Sequence, residues 1–176
     1  MISRPGRAGG VRQVCIGVAA AATVAVGGCG GSDVDDDAAR TDYYASIDAF
    51  CGKVAGASER ATRDTKAVRQ DKSAGRPEAV RVVTRALSQF ADATEIALDD
   101  LKRAKPPDDL SVYQTATLTG FRTFVTTLRA TVKAAEGGGT RALRRLGPDL
   151  DAVPLPDTPQ QITANAKQCA RFAPAT

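Results

Sequence analysis

The sequence has 176 residues, with 24 Lys or Arg, 20 Asp or Glu and no histidine. The missing histidine excludes Ser-His-Asp and Cys-His catalysis and the commonest transition-metal ligand. The formal charge of +4 is largely local: three of the arginines lie in the first 28 residues, which hold no acid, so the remainder carries 21 basic against 20 acidic side chains, a net of +1 that makes no case for nucleic acid.

Residues 1–13 carry Arg4, Arg7 and Arg12, and residues 14–26 are apolar. Val26-Gly27-Gly28 then leads into Cys29. A positive segment, an apolar segment of about 7–15 residues and a small-residue site make up a secretory signal peptide. The apolar run is shorter than the ~20 residues a membrane span needs. The Val-Gly-Gly-Cys tetrapeptide resembles the lipobox of bacterial lipoproteins, with Val26 and Gly27 in place of the usual Leu and Ala or Ser. That resemblance implies diacylglycerol on the Cys29 thiol and cleavage before it, and two acyl chains suffice for a stable anchor. Cleavage at Ala20-Ala21-Ala22 with free secretion, and an uncleaved anchor, are the alternatives. The n-region has no paired arginine, which favours the general secretion route. The expected organisation is a signal peptide over 1–28, a lipidated cysteine with a flexible acidic tether over 29–41, and a helical domain over 42–173.

The tether reading rests on the Gly, Ser and Asp of residues 30–41, which hold almost nothing apolar and span about 20 Å as a coil. Asp33, Asp35, Asp36 and Asp37 lack the glycine and terminal glutamate of a calcium loop. A first helix is expected over 42–71, capped by Thr41, with Tyr43, Ile47, Phe50, Cys51, Val54, Ala57, Ala61, Thr65 and Val68 on one face. Gly52 and Gly56 weaken it and point to a close helix neighbour. After a turn at 71–76, Pro77 opens a second helix. Its seam of Val80, Val83, Leu87, Phe90, Thr94, Ala97 and Leu101 suits an intramolecular bundle or a coiled-coil dimer, and the bundle is the expectation. Pro106-Pro107 ends it. Asp108 or Asp109 is expected to cap a third helix to about 136, which Gly137-Gly138-Gly139 terminates. Its inward residues are Leu110, Tyr113, Thr117, Phe121, Phe124, Val125, Leu128, Val132 and Ala135.

Thr140 is expected to cap a short helix over 141–147, broken at Gly147-Pro148. Val153-Pro154-Leu155-Pro156 reads as extended. Thr158-Pro159-Gln160-Gln161 has the form of a capping box, which predicts a last helix to about 172. Ile162, Ala166, Cys169 and Phe172 or Ala173 form its inner face.

Of the four cysteines, Cys15 leaves with the signal and Cys29 is taken by lipid. Cys51 and Cys169 remain, an even pair in an oxidising compartment, and a disulfide is the simplest reading. Two buried free thiols are the alternative. A disulfide staples the last helix to the first, with Phe50 and Phe172 flanking it.

A first helix with Tyr43 and Phe50-Cys51, a Leu101-to-Tyr113 turn around Pro106-Pro107 and Leu110, and a final helix with a lone cysteine resemble a broad class of small actinobacterial secreted lipoproteins. Lys167-Gln168-Cys169-Ala170 replaces the Gly-Leu-x-x-Cys-Gly often found there. The resemblance implies an all-α fold and an envelope location and transfers no catalytic residue.

The expected fold class is all-α, a small helical bundle of three long helices, one short helix and a C-terminal helix. Asp99-Asp100 and Asp108-Asp109 read as helix-end residues rather than a catalytic pair. Gly137-Gly138-Gly139 lacks the lysine of a phosphate loop. Arg141, Arg144 and Arg145 share one face and offer contact to an anion or a lipid head group. Gly120 with Thr123, Thr126, Thr127 and Thr131 forms a hydroxyl-rich flank that a polar ligand groove would use. The expectation is a monomeric, non-enzymatic, membrane-anchored extracytoplasmic lipoprotein, with no cofactor and no metal, that binds an unknown envelope protein or component. The alternative is a small-molecule or lipid carrier with a cavity between the helices.

Overall fold

The computed structural model describes residues 32–71, 75–138 and 140–172, with residues 32–35 as backbone only. The signal peptide, Cys29 and Ala173 lie outside the described residues. Five helices and two 3-10 turns follow one another: α1 (Ser32–Gln70), α2 (Arg76–Arg103), a turn at Asp108–Leu110, α3 (Ser111–Glu136), α4 (Thr140–Asp151), α5 (Gln160–Asn165) and a turn at Cys169–Phe172. The domain is an all-α bundle, as expected. α2 packs antiparallel against both α1 and α3, and α4 lies along α3.

The core follows the helical spacing. Tyr43, Ile47, Phe50, Cys51 and Val54 of α1 are buried with Ala91, Ala97, Leu98 and Leu101 of α2, and with Leu110, Val125 and Leu128 at and along α3. Phe50 meets Phe121 edge-on with ring centroids 5.0 Å apart, and Phe90 meets Phe124 at 5.7 Å. Such edge-to-face pairs add ~0.5–1.5 kcal/mol beyond the area they bury. The upper part of the seam is looser: Val68, Val80 and Val83 are only half-buried.

Four local expectations are corrected. α1 starts at Ser32, so residues 32–41 are helix and not a coil tether. Aspartates in a first turn favour a helix by offsetting its positive end, and Thr41, expected at the cap, instead donates its hydroxyl to the Asp37 carbonyl at 2.9 Å from inside the helix. Neither Asp108 nor Asp109 caps α3. Asp109 is held by Arg40 at 3.0 Å and by the Gln161 amide at 3.1 Å. Those two donors hold its carboxyl below the usual range.

α4 continues through Pro148 to Asp151 rather than breaking at Gly147. The proline removes one helical donor. The helix is exposed there, where solvent can stand in for the missing donor.

The last correction concerns the C-terminal helix. The Thr158 capping box does not form, and α5 ends at Asn165 instead of running to 172. Gln161 reaches Asp109 instead, and the Gln168 N–H donates to Asp48 Oδ1 at 2.7 Å, a tertiary acceptor in place of a helical one. Ile162, Ala166 and Cys169 still face inward and are fully buried, whereas Phe172 is 44% exposed and does not flank the disulfide.

Gly120 marks the closest approach in the fold. A Cβ there would lie 2.7 Å from the Pro154 carbonyl oxygen and 2.9 Å from Leu155 Cδ2. Gly52 meets Gln168 more gently at 3.4 Å, and Gly56 faces only Arg60 of its own helix. Gly120→Ala is therefore expected to lose about 1 kcal/mol, because a ~1–3 kcal/mol clash outweighs the helix gain of about 1 kcal/mol. Gly56→Ala meets only the flexible end of Arg60 at 3.6 Å and is expected to gain about 0.5–1 kcal/mol. Urea denaturation of both variants checks the opposite signs.

Candidate functional site

The disulfide is formed. Cys51 and Cys169 are joined at 2.07 Å with Cα atoms 5.1 Å apart, and both residues are buried. Cys169 Sγ lies 3.4 Å from the Ile47 carbonyl oxygen; bonded to sulfur, it has no proton to donate. Asp48 on one side and the Arg171–Glu59 ion pair on the other hold the strap to α1.

One member of each carboxylate pair, Asp100 and Asp109, is occupied by a cation. Asp100 accepts from Lys53 at 2.5 Å and from Arg103. The lysine contact, then the arginine, keeps the Asp100 carboxyl low. Arg129 bridges Asp92 and Glu95 from α3 to α2. These are exposed pairs, screened by solvent, and contribute little to stability. Among the described residues, no three His, Cys, Asp or Glu side chains gather to hold a metal ion.

The threonine-rich flank spends its hydroxyls locally. Thr115, Thr119, Thr123 and Thr127 each donate to the carbonyl four residues earlier, at 2.9–3.1 Å. Thr126 does the same to Arg122. What remains is a shallow groove of about 500 Å³ along α3, lined by Val112, Thr115, Thr119, Gly120 and Pro154. Val112 is 79% and Leu155 45% exposed beside it. This groove and those at the start of α2 and between the end of α1 and α4 are open to the surface.

Arg141, Arg144 and Arg145 are all exposed on α4, a helix with no buried residue. Arg144 lines a groove with Arg69 from the end of α1 and Arg76 from the start of α2, whereas Arg141 and Arg145 are not part of that lining. Arg76 donates to Thr140 Oγ1 at 3.1 Å. Sequence reasoning passed over Arg69 and Arg76, because single arginines at helix ends, distant in sequence from Arg144, carry no local signal.

Three buried polar atoms have no partner among the described residues: the Tyr43 hydroxyl, Gln114 Oε1 and Thr117 Oγ1. Burial first, then the neighbouring Tyr113 and Tyr44, pushes the Tyr43 hydroxyl far above its ordinary value near 10. The folded state keeps a proton that the unfolded state releases. Stability is intact below about pH 10 and falls above it by up to ~1.4 kcal/mol per pH unit. Tyr43→Phe is expected to remove that alkaline slope and to gain about 1 kcal/mol at neutral pH by deleting an unpaired buried hydroxyl. Thermal melts from pH 7 to 11 of both proteins read the two effects.

Comparison with protein-family models, with curated proteins and with solved structures finds no match for this chain.

Proposed function

We propose that this protein is a non-enzymatic extracytoplasmic module, held to the cell membrane by diacylglycerol on Cys29, that binds a partner protein or a component of the cell envelope. The observation that carries this reading is the run of residues 14–26 followed by Val26-Gly27-Gly28-Cys29. A disulfide inside the domain suits a compartment outside the cytoplasm. The exposed Val112 and Leu155 beside the α3 groove give a partner apolar surface to cover.

Arg141, Arg144 and Arg145, all exposed on α4, offer contact to an anion or a lipid head group.

The test is the mass of the protein extracted from its own membrane. A chain beginning at Cys29 and heavier by a diacylglycerol group, with membrane retention lost in Cys29→Ala, is the expected result. An unmodified chain cleaved near Ala20-Ala21-Ala22 removes the anchor and leaves a freely secreted module.

A further inference from the structure

Where α1 ends and α2 and α4 begin, three helices leave a groove of about 300 Å³ between them. Arg69, Arg76 and Arg144 stand around it, and Val68, Val80 and Leu143 are among the apolar side chains that floor it. No carboxylate lines it. The acids of the same turns face elsewhere: Asp64, Asp71 and Glu78 border a separate depression between α1 and α2, and Glu78 pairs with Arg81. Among the described residues none of the three arginines has an ion-pair partner, unlike Arg40, Arg81, Arg103, Arg129 and Arg171.

Unpaired guanidinium groups around a half-buried apolar floor are matched by an anionic head with a short aliphatic tail. Three arginines favour phosphate, which their forked donors grip in pairs. The volume lies at the lower end for small-ligand sites, which limits the tail to a few carbons inside the groove. The adjoining groove of about 630 Å³, reached past Arg76 and Val80, leaves room for the tail to continue. Arg76 already reaches across the mouth to Thr140. That bond ties α2 to α4 and holds the guanidinium at the edge of both grooves.

We infer that this groove binds a diffusible phosphate-bearing aliphatic amphiphile, with Arg69, Arg76 and Arg144 on the phosphate and Val68, Val80 and Leu143 on the tail. The site does not depend on the lipid anchor, so loss of the anchor leaves it standing. The full chain, in phosphatidylcholine nanodiscs or in buffer if Cys29 is unmodified, is titrated calorimetrically with hexyl phosphate against a blank without protein. Saturable one-to-one binding is expected, with inorganic phosphate and hexanol each about tenfold weaker or worse, and with affinity falling as salt rises. The triple variant Arg69→Gln/Arg76→Gln/Arg144→Gln should bind about tenfold more weakly at an unchanged melting temperature, because all three side chains are exposed, while Arg141→Gln/Arg145→Gln binds as the parent. The head-against-tail comparison needs no variant. Absence of saturation, inorganic phosphate binding as well as hexyl phosphate, equal binding by the triple variant, or capture by phosphatidylglycerol vesicles without hexyl phosphate binding would each overturn the assignment.

Discussion

Replacing Cys51 and Cys169 together by alanine is expected to cost about 4–5 kcal/mol. The bond spans 118 residues, so its removal frees most of the unfolded chain and raises the entropy folding must overcome. For a domain of this size such a loss lowers the melting temperature by roughly 10–15 °C. The structural consequence is local. α5 is only six residues long and cannot hold itself as a helix. Without the disulfide, the strap keeps Ile162 and Ala166 in the core, Asp48 on Gln168 and Glu59 on Arg171. Amide exchange over residues 160–172 should therefore accelerate well before α2 and α3 respond. A loss under about 1 kcal/mol would mean that packing alone seats the strap and that unfolded-state entropy is not the main contribution.

Leu128→Ala is expected to cost about 3–4 kcal/mol, since a buried leucine loses its transfer energy and leaves a cavity. Leu128 is fully buried in the middle of α3, within the cluster formed by α1, α2 and the C-terminal strap. The rings of Phe121 and Phe124 on the same helix are already engaged with Phe50 and Phe90. They cannot swing in to fill the space without losing those contacts, so the cavity persists. Leu128→Met conserves volume and should cost under about 1.5 kcal/mol. Val112→Ala, on the same helix but exposed, should stay within about 0.5 kcal/mol. Chemical denaturation of the three variants orders them, and equal losses at 112 and 128 would contradict the packing described.

Much of the fold was legible in the sequence because it rests on local signals. Spacings of three and four placed Ile47, Phe50, Cys51, Val54, Leu101 and Leu128 on inward faces, and they are buried. Gly137-Gly138-Gly139 announced the end of α3, and Gly138 adopts φ +89°, a conformation glycine takes without strain. The cysteine pair was the expectation left once Cys15 was read into a signal peptide and Cys29 as a lipid site, and Cys51 and Cys169 are joined.

Several features were not legible, for a common reason: each is decided by a partner remote in sequence. The capping residues were right in type, but Asp109 accepts from both Arg40 and Gln161 across the bundle, and a local cap loses to that competition. The final helix was read too long because its hydrophobic spacing is sound as far as Cys169, yet Asp48 takes the Gln168 N–H and the chain turns. Gly120 carries no sequence mark of the Pro154 backbone that crosses it.

The sequence by itself determined the helical class and the inward faces, because periodicity and residue type act within one element. Only the tertiary structure decided where the elements end, which glycine is crowded and which arginines share a groove. Those depend on distances between segments that neither propensity nor spacing encodes.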